Sequence, residues 1–116
     1  PVGAEQGLEH VPPARNGDNA VFIAGLQSWL NTNSGNGSIP TSQRSAIGDR
    51  VMEYVTWLCR NNMMDMGIML AQELFANKQH MAYYFSGPVS AKRGAAIQAM
   101  RMSAEELHAL KNKVNQ

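Results

Sequence analysis

At 116 residues the chain has room for one domain, and 44% hydrophobic against 16% charged residues places that domain in the globular class. A formal net charge of +1 excludes a global electrostatic pull towards nucleic acid or membrane, so any such function has to come from a local distribution of charge. The lone cysteine, Cys59, excludes an internal disulfide framework and fits a reducing, intracellular (cytoplasmic) compartment, and no apolar run reaches the roughly 18 residues of a membrane span.

The charge fraction lies below the usual quarter of a soluble domain, which favours a protein that buries part of its surface against a partner. Residues 1–17 hold Pro1, Pro12, Pro13 and three glycines without an apolar period, so they read as an extended arm; residues 18–116 read as a single helical domain.

Asp18 or Asn19 is placed to cap a first helix, in which Phe22, Leu26, Trp29 and Leu30 recur at helical spacing. Asn31 to Pro40 is rich in Asn, Gly and Ser and reads as a loop. Thr41 or Ser42 opens the strongest helical pattern. Ile47, Val51, Tyr54, Val55 and Leu58 form its inner face, and Gln43, Arg50, Glu53 and Arg60 stay outside.

Asn61-Asn62 marks a break. From Met63 to about Gln79, Met64, Ile68, Ala71 and Phe75 repeat on one face, and Leu70 and Leu74 widen the stripe, so this helix is expected to be central. Tyr83-Tyr84-Phe85 either ends that helix or forms a short extended piece before a turn at Ser86-Gly87-Pro88.

Ser90 is a cap for a further helix through Met102. Ser103-Ala104-Glu105-Glu106 is a capping box with Met102 and Leu107 at the staple positions; it offers a second start, and the rival is one long helix from Ser90 to Val114. Leu107, Leu110 and Val114 supply the inner face in both cases. Four to five helices with short connections predict an all-α fold, a small irregular bundle.

Catalytic chemistry finds little support. His10, His80 and His108 have no paired spacing that could hold zinc, so no metal and no cofactor is expected. Cys59 beside Leu58 reads as a small core residue rather than a nucleophile. No glycine-rich phosphate loop follows a strand, and Asn36-Gly37-Ser38 matches a glycosylation acceptor only as a short, common pattern. The expectation is a non-enzyme with no catalytic residue, no small-molecule substrate and no membrane partner.

Two features rise above that background. Between Phe75 and Ala104 the only ionised residues are Lys78, Lys92, Arg93 and Arg101, beside Tyr83, Tyr84 and Phe85. Cations beside exposed rings are what single-stranded nucleic acid uses, with phosphates on the charges and bases on the rings. On that reading Lys78, Lys92, Arg93 and Arg101 contact phosphate, and Tyr83 or Tyr84 stacks. The competing reading, given more weight, puts the rings in the core and the cations on an ordinary solvated face. Lys92 and Arg93 in a first helical turn oppose the helix dipole, which points to a use for their charge.

The second feature is eight methionines. Met63, Met66 and Met69 fall cleanly on no inner face and are candidates for a subunit interface, because flexible thioethers suit adaptable contacts.

The segment Ile97-Gln98-Ala99-Met100-Arg101, after an aromatic pair, a proline and two cations, resembles the late core of coat proteins from flexuous filamentous plant viruses. The likeness spans about thirty residues and lacks those proteins' other landmarks, so no site residue is carried over from it. It implies a viral structural, capsid or nucleoprotein role. The leading expectation is a helical interaction and assembly module that forms a homo-oligomer or joins a protein partner; the alternative is binding of RNA or single-stranded nucleic acid through residues 78–101.

Overall fold

The computed structural model describes residues 19–114, so the arm at 1–17 and the candidate cap Asp18 lie outside the described residues. Five helices occupy that span: α1 (Asn19–Asn33), α2 (Thr41–Arg60), α3 (Met64–Ala76), α4 (Lys78–Tyr84) and α5 (Ala91–Val114). No strand occurs among the described residues. The all-α class and the small irregular bundle are as the periodicity predicts.

The centre of the bundle is α2, against which α3, α4 and α5 all pack. Its predicted inner residues Ile47, Val51, Tyr54, Val55 and Leu58 are buried, but so are Gly48, Met52 and Cys59. The apolar stripe is therefore wide enough to serve two neighbours at once. On one flank α5 runs parallel to it, with Ser90 bonded to Asp49 and Lys92 paired with Glu53 at one end. Further along, the Ser103 hydroxyl meets the Cys59 thiol. The buried residues of α5 on this side are Ala96, Ala99 and Ser103, whose small side chains let the two backbones approach.

On the other flank α3 folds back as an αα-hairpin. Asn62 takes the left-handed conformation at φ 64°, which Asn tolerates better than most residues. The N–H groups of Asn61 and Met63 close onto the Leu58 carbonyl. The inner face of α3 is Gly67, Leu70, Ala71 and Leu74: the expected Leu70, Ala71 and Leu74 are buried, whereas Met64, Ile68 and Phe75 of the same expected stripe are only half-buried. Gly67 lies at the contact with α2: a Cβ there would lie 2.9 Å from Cys59 Sγ and 3.1 Å from the Val55 carbonyl oxygen.

Two expectations need correction, and one pair of alternatives is decided. The helix read as Met63 to Gln79 stops at Ala76, because Asn77 adopts an extended backbone and its side chain accepts from the His80 N–H at 3.0 Å, capping α4 instead. The capping box at Ser103 starts nothing: α5 is one helix, and Ser103 is buried within it against Cys59. The loop expected from Asn31 begins later, since α1 continues to Asn33 with Thr32 and Asn33 bonding back to the carbonyls of Ser28 and Trp29. The side chains of Leu107, Leu110 and Val114 lie outside the described residues. Ser90 does cap α5, accepting from the Arg93 N–H at 3.1 Å.

Asn19 opens α1 and joins three elements. Its side chain accepts from the Tyr54 hydroxyl at 2.9 Å and donates to Met63 Sδ at 3.2 Å. Together with the bond from Gln27 to Glu73 this lays α1 parallel to α3.

The tightest approach is at Gly48, where a Cβ would fall 2.3 Å from the Tyr84 carbonyl oxygen and 3.0 Å from Phe85 Cε1. Backbone cannot retreat as a flexible side chain would. Gly48→Ala is expected to destabilise by about 3 kcal/mol in urea unfolding. Gly94→Ala in α5, where the new methyl would meet nothing within 4 Å, is expected to stabilise by about 0.5–1 kcal/mol.

Candidate interaction surface

The basic and aromatic segment is used internally. Tyr84 is 1% exposed and its hydroxyl donates to the Leu30 carbonyl at 2.7 Å; burial pushes its phenol far above the usual range. The Tyr83 ring is buried, its hydroxyl donates to the Asn36 carbonyl, and the Arg44 guanidinium lies 4.6 Å from the ring centre. Tyr83 and Tyr84 meet edge to face at 4.8 Å. Neither ring presents a face on which a base could stack, which corrects the stacking role read from the sequence.

The cations fare similarly. Arg93 is 8% exposed; its guanidinium donates to the Phe85 carbonyl at 3.1 Å and to the Gly87 carbonyl at 3.0 Å. These are carbonyls of the chain between α4 and α5, which has no ladder of its own to satisfy them. Arg93 is therefore a staple of that connection, not a phosphate contact on the surface. Lys92 is exposed but pairs with Glu53 at 2.9 Å. The charges opposing the dipole at the start of α5 thus have local partners. Lys78 and Arg101 are exposed, on separate helices.

Of the three methionines, Met63 and Met66 are half-buried against the core, and only Met69, at 55%, is largely exposed. A stronger surface feature lies on α1. Asn19–Asn33 contains no ionised side chain. Leu26 and Leu30 point into the core with Phe22, Ile23 and Trp29 beside them. The opposite side exposes Ala20, Val21, Ala24, Gly25 and Ser28, with Val21 at 73%. A Cβ on Gly25 would meet nothing within 4 Å. An ordinary solvated helix carries charge on its outer face. The signal was in the sequence as fifteen residues without Asp, Glu, Lys or Arg, and inspection of the inner face alone passes over it.

Other reactive groups are enclosed. Burial pushes the Cys59 thiol up, partly offset by the Ser103 hydroxyl. No group of three His, Cys, Asp or Glu side chains among the described residues is placed to hold a metal ion. No helix among them is long and apolar enough to cross a membrane. Comparison with protein-family models, with curated proteins and with solved structures finds no match to this chain. The functional reading therefore rests on the geometry.

His80 supplies a pH dependence. Its ring is buried, bonded through Nδ1 to the Ser34 hydroxyl at 3.0 Å and edge-on to Tyr84, and burial holds its pKa below the usual value. Above about pH 6.5 the unfolded chain is neutral at this position too. Below that, the unfolded state takes a proton that the folded state resists, so stability falls as pH falls. Urea midpoints measured from pH 7.5 to pH 5.5 are expected to drop, and His80→Gln is expected to flatten that drop.

Proposed function

We propose that this chain is a non-enzymatic helical assembly module that self-associates through the outer face of α1. The observation that carries the reading is a fifteen-residue helix with no ionised side chain, exposing Ala20, Val21, Ala24, Gly25 and Ser28. Such a face loses little hydration when covered and permits close backbone approach, because its side chains are small. Meeting a copy of itself brings no like charges together, as a two-fold symmetric contact requires. The exposed thioether of Met69 adds an adaptable apolar group on α3, the neighbour of α1.

Light scattering coupled to size exclusion tests this directly. The unaltered chain is expected to elute as a dimer or larger species whose mass rises with concentration. Val21→Glu with Ala24→Glu alters two exposed positions and is expected to give a monomer with unchanged helical circular dichroism. A monomer from the unaltered chain at every concentration overturns the proposal.

Nucleic-acid binding, with the capsid or nucleoprotein role that goes with it, is the weaker reading. Its rings are buried, Arg93 is engaged with carbonyls and Lys92 with Glu53. What supports it is the exposed charge of Lys78, Lys92 and Arg101, which suffices at most for weak, salt-sensitive phosphate contact. Lys78→Glu with Arg101→Glu leaves the Arg93 staple intact. If this reading holds, the pair should abolish a low-salt mobility shift with single-stranded RNA, and an unchanged shift removes it.

A further inference from the structure

The loop between α1 and α2 holds the dipeptide Asn36-Gly37, away from every residue assigned above to assembly. The Asn36 side-chain oxygen Oδ1 accepts from the Ser38 N–H at 3.0 Å, and its amide Nδ2 donates to Asn33 Oδ1 at 3.3 Å. The ring of atoms closed by the first of these bonds contains the Gly37 nitrogen. The N–H of Gly37 donates to no acceptor among the described residues. Asn36 is half-buried, Gly37 and Ser38 are exposed, and a Cβ on Gly37 would meet nothing within 4 Å, so water reaches the dipeptide from the Gly37 side.

These are the parts of an intramolecular acyl transfer: a nitrogen with no other engagement, a carbonyl carbon on the preceding side chain, and a backbone N–H on the oxygen that gains negative charge. We propose that Asn36 is a self-modification site, which deamidates through a cyclic imide closed by the Gly37 nitrogen. The Gly37 amide gives its proton to hydroxide, and its nitrogen bonds to Asn36 Cγ. Charge collects on Oδ1, where the Ser38 N–H meets it. The Cγ–Nδ2 bond then breaks, and the nitrogen takes a proton from water and leaves as ammonia. A second water opens the imide at either carbonyl, giving aspartate or isoaspartate at this position. No oxidant or reductant enters.

Asn33-Ser34 is the contrast within the same loop. The Ser34 N–H donates to the Leu30 carbonyl at 3.0 Å, which keeps that nitrogen from attack, and the Ser34 side chain adds bulk that a glycine lacks. The consequence of modification falls on a tie between elements. The Asn36 carbonyl accepts from the Tyr83 hydroxyl and from the Ile39 N–H at 3.4 Å, so this residue joins the loop to α4. Aspartate adds a charge there and keeps the backbone as it is. Isoaspartate routes the main chain through Cβ and lengthens it by one atom at the tie.

The experiment incubates the full chain at neutral pH, samples it over time and maps tryptic peptides by mass spectrometry, resolving aspartate from isoaspartate. Fragmentation separates Asn36 from Asn16-Gly17, which falls in the same peptide between Arg15 and Arg44. Asn36 is expected to convert about tenfold faster in the folded chain than in the chain unfolded in urea, less than a donor supplies in a closed active site because this loop is open to water. Asn33 is expected to stay unmodified, and both isomers are expected at Asn36. Gly37→Ala, for which there is room, is expected to slow the conversion several-fold. Ser38→Pro removes the donor N–H and should bring the rate down to that of the unfolded chain, whereas Ser38→Ala keeps the donor and should leave the rate unchanged. Circular dichroism checks that each variant stays helical; if Ser38→Pro does not fold, the urea comparison decides. A rate no faster in the folded chain than in urea, aspartate without isoaspartate, or an unchanged rate in Gly37→Ala overturns the proposal. The oligomeric state does not enter the readout, so failure here is separable from failure of the assembly reading.

Discussion

Burial of α2 along two flanks is the constraint from which the other helices take their places. A helix with one apolar stripe needs one partner; α2 buries Gly48, Met52 and Cys59 as well as its principal stripe and so needs two. Both partners meet it through missing side-chain bulk. Gly67 brings α3 against Cys59 and Val55, Gly48 admits the Tyr84 carbonyl, and Ala96 and Ala99 let α5 lie alongside. The tolerance for added atoms at these contacts is small, since folded interiors are packed like crystals. That is why a single methyl at Gly48 carries so different a consequence from one at Gly94.

Close packing leaves carbonyls of the connections to be satisfied, and the polar ends of large side chains do this. The hydroxyls of Tyr84 and Tyr83 reach the carbonyls of Leu30 and Asn36, Arg44 reaches that of Ile39, and Arg93 holds those of Phe85 and Gly87. No buried side-chain nitrogen or oxygen among the described residues lacks a partner. The segment from Asn77 to Arg93 thus acts as a set of ties between α1, the loop after it and the core. Its aromatic and basic content resembles a nucleic-acid surface in composition, but Tyr83, Tyr84 and Arg93 are spent on the chain's own backbone carbonyls.

With those groups internal, the surface divides by charge. The outer side of α1 is neutral and made of small residues, which suits contact with a like surface. The groove between α1 and α3 has a polar rim of Gln27, Asn31, Glu73, Asn77 and His80 above leucines that are almost fully buried. The two regions share α1 but use different sides of it.

The sequence by itself determined the helical class, the positions of α1 and α2, the start of α5 at its Ser90 cap, and most of the core, because those depend on local capping and on a period of 3.6 residues. Ile47, Val51, Val55 and Leu58 are inside for that reason, and Asn61-Asn62 ends α2 through its own backbone preference. Among the candidate site residues, the placement of Lys78, Arg101 and Met69 at the surface was equally local. Only the tertiary structure decided the rest. The cap at Asn77 overrode a continuous apolar pattern, Gly67 joined the inner face of α3 at its contact with Cys59 and Val55, and Ser103 was drawn into the contact with Cys59 instead of opening a helix. The fate of Tyr83, Tyr84 and Arg93 turned on carbonyls up to 54 residues away in the chain. No periodicity encodes such partners, because whether a ring or a guanidinium faces water depends on which backbone groups folding brings within its reach.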